Sequence, residues 1–138
     1  MNIGPIHYCL RDRAEPEGVV VEVKKWYPIA ETPCGYWIVP HGYEGYWRDG
    51  KFPAWVEADL KRVRKWTPKR NPRKYSPVLK DAVFSFRQRK AIQYRRVEWQ
   101  MQQVAQVEQF LKTLEDSAVT EDGFNCGIPE AWQGLRWE

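Results

Sequence analysis

SPVLKDAVFSFRQRKAIQYRRVEWQMQQVAQVEQFLKTLED, residues 76–116, decides the fold of this 138-residue chain. Ser76 offers a side-chain oxygen for a helix N-cap, and Pro77 fits the first helical position, where its missing N–H costs nothing. No glycine or proline follows until Gly123, so the spacing predicts one helix from about residue 77 to 116. At about 1.5 Å per residue it reaches roughly 60 Å, more than a small domain needs. On its wheel Leu79, Val83, Phe86, Val97, Met101, Val104 and Leu111 form one stripe, with Lys90 in its middle, and Ile92, Trp99 and Phe110 lie nearly opposite. A helix apolar on two sides is expected to cover a sheet with one and a folded-back tail, a second subunit or a target with the other. Its first half carries Arg87, Arg89, Lys90, Arg95 and Arg96, and its second half Glu98, Glu108, Glu115 and Asp116. Antiparallel pairing of two copies would match basic to acidic ends, which makes a homodimer through the helix one partner expectation.

Upstream the chain changes character. Gly18-Val19-Val20-Val21-Glu22-Val23, Trp26-Tyr27-Pro28-Ile29-Ala30 and Tyr36-Trp37-Ile38-Val39 are β-branched and aromatic runs punctuated by turn formers, the pattern of an antiparallel meander. Thr32-Pro33-Cys34-Gly35 reads as a hairpin turn, and Arg48-Asp49-Gly50-Lys51 carries the Asp-Gly tight-turn signature. Residues 54–66 fit both a helix, through Val56, Leu60 and Val63, and an edge strand. The fold class expected is α+β: a small antiparallel sheet over about residues 1–66 packed on one long helix over about 77–116, with a short docked tail. One domain is expected, divided into an aromatic meander (1–60), a basic connector (61–75), the helix (76–116) and the tail (117–138). The tail is expected to dock through Trp132 and Trp137.

Charge is polarised along the chain. Residues 61–96 hold fourteen Lys or Arg against one acid, Asp81, a balance of +13, and the remainder holds eight against seventeen, a balance of −9, which together give the net +4. Such asymmetry points to a polyanion or an acidic partner. Lys61, Arg62, Arg64, Lys65, Trp66, Lys69, Arg70, Arg73, Lys74, Arg87 and Lys90 are the candidate polyanion- or partner-binding residues, with Trp66 and Tyr75 placed to stack on bases. The ordinary reading of the same charges is a solvated edge strand and linker. Eight Trp, seven Tyr and five Phe exceed what a core of this size needs. Tyr43, Tyr46 and Trp47 form a candidate aromatic loop that either presents a binding wall or closes the end of the sheet. Ile92, Trp99 and Phe110 are the candidate oligomer or partner face.

Enzymatic signals are weak: His41 with Glu44, or His7 with Cys9, could supply a base and a nucleophile, but no phosphate loop or H-E-x-x-H is present. No catalytic residue, cofactor or metal site is expected, since Cys9, Cys34, Cys126, His7 and His41 lack ligand spacing. No run approaches about 18 apolar residues, and the N-terminal MNIGPIHYCLRDR lacks the apolar centre of a signal peptide, so no membrane partner is expected.

Gly35-Tyr36-Trp37-Ile38-Val39-Pro40, the aromatic loop, Lys65-Trp66-Thr67-Pro68-Lys69-Arg70, and Ser76-Pro77 opening a helix with Phe84-Ser85-Phe86-Arg87-Gln88-Arg89-Lys90 occur in that order. This order resembles small uncharacterised proteins encoded by bacteriophages and prophages, which pair a short aromatic sheet with one long basic helix. The similarity spans roughly Trp26 to Leu111, and residues 1–25 and those after Asp116 look like additions. The resemblance implies no catalytic residue. It implies a cytoplasmic protein of a bacterial host that blocks or sequesters a host component, a counter-defence role. Its partner would be a host protein or nucleoprotein complex, a nucleotide or a nucleic acid. A DNA- or RNA-binding accessory protein and a self-assembling structural protein are the alternatives.

Overall fold

A computed structural model describes residues 3–115, 117 and 119–133. The chain divides into two compact units, Met1–Arg89 and Lys90–Glu138, with the boundary inside a long helix. Asp116, where the helix was expected to end, and the Trp137 part of the docking tail lie outside the described residues.

The first unit holds strands β1 (His7–Glu15), β2 (Gly18–Glu31), β3 (Gly35–Pro40) and β4 (Lys65–Pro68), a 3-10 turn at Tyr43–Tyr46, and helix α1 (Ala54–Val63). The strands form one antiparallel sheet in the order β1-β2-β3-β4. With the helix that follows, this is the α+β arrangement expected from the sequence. The two runs Gly18–Val23 and Trp26–Ala30 belong to one strand. Pro28 has no N–H to give to a ladder, and the β2–β3 register slips between Pro28 and Ala30, so the strand continues through an irregularity. Thr32 and Gly35 close the β2–β3 hairpin through reciprocal backbone hydrogen bonds of 2.8 and 3.4 Å. Gly35 is required there, because a Cβ would meet the Thr67 carbonyl and lie 2.6 Å from the Trp66 ring on β4. Asp49 and Gly50 take positive φ (52° and 79°) between the bridged pair Arg48 and Lys51, the geometry that two-residue hairpin turns need.

Both readings of residues 54–66 are half right. The chain turns helical directly after Pro53, buries Val56 and Leu60 one turn apart, and becomes extended at Arg64 (ψ 146°) to enter β4. The pleat then sorts the sheet into two faces. Val39 packs with Phe52, Val56 and Leu60, flanked by Ile29, Tyr43 and Trp47, so α1 covers one face. On the register His7, Trp26, Tyr36, Ile38 and Thr67 share the other. There the segment Tyr75–Ser76 crosses: Tyr8 and Ser76 exchange backbone hydrogen bonds of 2.7 and 3.1 Å, and the Thr67 hydroxyl donates to the Tyr75 carbonyl at 3.1 Å. His7, Ile38, Thr67 and Ser76 are all buried.

Helix α2 runs Leu79–Thr113. Ser76 Oγ accepts the Val78 N–H at 3.1 Å, and the Asp81 and Ala82 amides bond back to the Val78 carbonyl. The stripe Leu79 to Leu111 does not cover a sheet along its length, as its composition suggested. Val83 and Phe86 are half-buried, but Val97, Met101, Val104 and Leu111 are 50–70% exposed. At about 1.5 Å per residue this helix is roughly 50 Å long, whereas four strands at about 4.8 Å spacing span only about 20 Å. In the second unit α2 is covered instead by the chain that follows it. Trp132 sits on Trp99 with ring centroids 4.4 Å apart and donates its Nε1–H to Gln102 at 2.6 Å. Phe124 stacks on Phe110, and Gln106 donates to the Cys126 carbonyl at 2.7 Å.

Candidate polyanion-binding surface

The last turn of α1, strand β4 and the loop to Lys74 place the basic block on one continuous segment at the open edge of the sheet. Two of its members are spoken for. Arg62 binds Asp59, which also accepts the Tyr43 hydroxyl, and these two donors hold the Asp59 carboxyl below its usual range, Tyr43 contributing more. Lys69 lies 2.6 Å from Glu31, which raises the lysine's pKa. Arg64 stacks at 4.1 Å over the Trp37 ring, a contact that fixes its stem, and among the described residues its N–H fork forms no ion pair. Lys74 sits 5.5 Å over Tyr75. Lys61, Lys65, Arg70, Arg73 and Arg87 are exposed, and among the described residues none of them forms an ion pair. Trp66, 43% exposed, pairs across the strands with Trp37 and donates weakly to the Thr32 hydroxyl at 3.4 Å. Lys90 opens the second unit and donates to Gln93 at 2.8 Å.

The aromatic loop divides. Tyr43 and Trp47 pack on the α1 core, Trp47 edge-on to Phe52 at 4.9 Å, and only Tyr46 is open, edge-on to the exposed Trp55 at 5.1 Å. Tyr43 and Trp47 therefore close the end of the sheet. Of the candidate partner face, Trp99 and Phe110 are taken by Trp132 and Phe124, and Ile92 is exposed.

Sequence reasoning passed over a second basic region. Arg89 lies part-buried with its Nε and Nη2 shielded from solvent and without a hydrogen-bond partner, its guanidinium carbon 5.7 Å from the Phe86 ring. Burial raises the Tyr75 pKa, opposed by the charges of Arg89 and Arg11. Tyr75 packs on Trp26 at 4.8 Å, and Trp26 lines a groove of about 600 Å³ with Arg11, Val23, Lys24, Lys25, Pro40 and His41. No carboxylate lines this groove, although Lys24 reaches Glu22 at 2.7 Å and His41 reaches Glu44 at 2.8 Å. Arg11, Lys24 and Lys25 precede the basic block in sequence, so only the β1–β2 register, which sets Arg11 beside Glu22 and Cys9 beside Lys24, could have revealed them.

Among the described residues no group of three or more His, Cys, Asp or Glu could hold a metal ion, and no helix is long and apolar enough to cross a membrane. No protein-family model, curated protein or solved structure matches the chain.

Proposed function

We propose that this is a non-catalytic binding protein that docks an anionic polymer on the strip from Lys61 to Lys74. The observation that carries the reading is the set Lys61, Lys65, Arg70 and Arg73: exposed, close in sequence on one edge segment, and without acidic partners among the described residues. Such a set repels itself in the free protein and releases condensed counterions when it meets phosphates. Arg64, held over Trp37, and the half-exposed Trp66 add a planar donor fork and a stacking ring beside those charges. Occupancy alone suffices for a blocking or sequestering role toward a host component, because a covered phosphate backbone is unavailable to others.

The test is a tryptophan-fluorescence titration with duplex DNA and single-stranded RNA at low and high salt. It compares the natural chain with a variant carrying Lys61→Ala, Lys65→Ala, Arg70→Ala and Arg73→Ala. The expected result is binding that weakens linearly in log–log form with salt, by a slope of about −0.7 to −0.9 per phosphate engaged, and that the variant loses. Silence with both polymers overturns the nucleic-acid reading and turns the search to an acidic protein surface. A second reading has its own observation in the groove of Arg11, Lys25 and Trp26, which suits a small phosphate-bearing molecule with one stacking ring. Salt-tolerant binding of a mononucleotide, lost on Arg11→Ala, would favour it.

A further inference from the structure

The apolar face that Trp132 and Phe124 leave uncovered on α2 has a regular spacing. Tyr94, Val97, Met101, Val104, Glu108 and Leu111 follow one another at alternating steps of three and four residues, the a/d seam of a coiled coil. All are exposed: Tyr94 72%, Val97 50%, Met101 70%, Val104 64% and Leu111 51%, with the Glu108 side chain at 67%. A solvated helix does not need this pattern, and a helix already covered on its other side by its own tail cannot turn the seam inward.

We infer that the seam is a self-association surface on which the same seam of a second copy packs antiparallel. Charge decides the occupant and its direction. The N-terminal end of the seam is flanked by Arg95 and Arg96, and its C-terminal half contains Glu108, with one cation, Lys112, bonded to Glu108 at 3.1 Å. A parallel pair would set Glu108 against Glu108 and the arginines against themselves. In an antiparallel pair with Met101 level with the partner copy's Val104, Tyr94 meets Leu111 and Glu108 comes level with Val97, one residue from Arg96. Every apolar seam position then finds an apolar or aromatic counterpart except Val97, which faces the stem of Glu108. The inference is independent of the polyanion reading, since none of these residues lies in the strip.

Sedimentation velocity of the full chain across micromolar concentrations tests it, alongside Met101→Lys, Val104→Lys and the reversal Glu108→Arg. The natural chain should populate a dimer. Each lysine variant, placed at a solvent-exposed position, should keep its circular-dichroism helix signal and weaken dimerisation about tenfold or more. Glu108→Arg should weaken it too, and combining it with Arg95→Glu and Arg96→Glu should restore it. A chain that stays monomeric at every concentration overturns the proposal, as does a dimer untouched by Met101→Lys. A dimer weakened by the lysines but strengthened by Glu108→Arg alone would overturn the antiparallel assignment.

Discussion

Trp99 on α2 and Trp132 in the following segment lie with ring centroids 4.4 Å apart and planes inclined at 34°, and the Trp132 N–H reaches back to Gln102. That contact decides which side of the helix is inside. Trp132→Ala removes a half-buried ring and a hydrogen bond together. It should destabilise the second unit by about 1–2 kcal/mol, less than a fully buried tryptophan would cost. Hydrogen exchange should show the amides from Trp99 to Phe110 losing protection, with the β-sheet amides unchanged.

Gly35→Ala puts a methyl group against the Thr67 carbonyl and the Trp66 ring. One obstacle is backbone, so the β3–β4 pair must part. The expected cost is about 1–3 kcal/mol in chemical denaturation, with a red shift of tryptophan emission as Trp66 gains solvent. Wild-type stability in this variant would show that β4 moves freely.

His7 is buried against Tyr36, ring centroids 5.5 Å apart, with Nδ1 2.9 Å from the Pro5 carbonyl. Burial lowers its pKa below the ordinary 6.5, outweighing the Pro5 contact, which raises it. The unfolded chain therefore binds the proton more readily than the folded one. His7 costs no stability above about pH 6.5, and stability declines as pH falls below that value toward the lowered folded pKa. Thermal melts from pH 7.5 to 5 should show this decline, and His7→Gln should flatten it.

Arg89 carries its charge with two nitrogens shielded and unpartnered. Replacing such a group by an apolar one of similar length is expected to be neutral or stabilising, here by about 1 kcal/mol because the residue is only part-buried. Arg89→Met should therefore leave the melting temperature unchanged or raise it. If inorganic phosphate raises the melting temperature of the natural chain, Arg89→Met should abolish that increment, since binding to the folded state alone is what produces it.

How much was legible follows from where the signals are local. The α2 start was readable to within two residues: Ser76 and Pro77 read as N-cap and first helical position, whereas the helix opens at Leu79 behind Val78, whose carbonyl accepts the Ala82 N–H, and Ser76 bonds only the Val78 amide. The two hairpin turns were readable because Thr32 to Gly35 and Asp49-Gly50 impose their own backbone geometry. β1 was not readable as a strand: Arg11, Asp12, Arg13 and Glu15 carry no β signal, and the strand exists because β2 pairs with it from His7 to Glu15. Ile92, Trp99 and Phe110 read as an oligomer or partner face, with a folded-back tail as one possible cover. Trp132 and Phe124 take Trp99 and Phe110 and leave Ile92 exposed, a division the wheel could not show because it does not tell a tail from a subunit. The basic strip was visible as composition, whereas its division into paired Arg62 and Lys69 and unpaired neighbours depends on Asp59 and Glu31, which reach it only through the fold.

The cover on α2 has an order in time. Helices of this length form within about a microsecond, while the ribosome adds about 5–20 residues per second, so Trp99 waits roughly two to seven seconds for Trp132 to be made. Until that segment is added, α2 has no cover over Trp99 and Phe110 on one side, while Val97, Met101 and Val104 are exposed on the other. The cover is therefore the last part of the second unit to form, and a chain stopped short of Phe124 would leave both Trp99 and Phe110 bare.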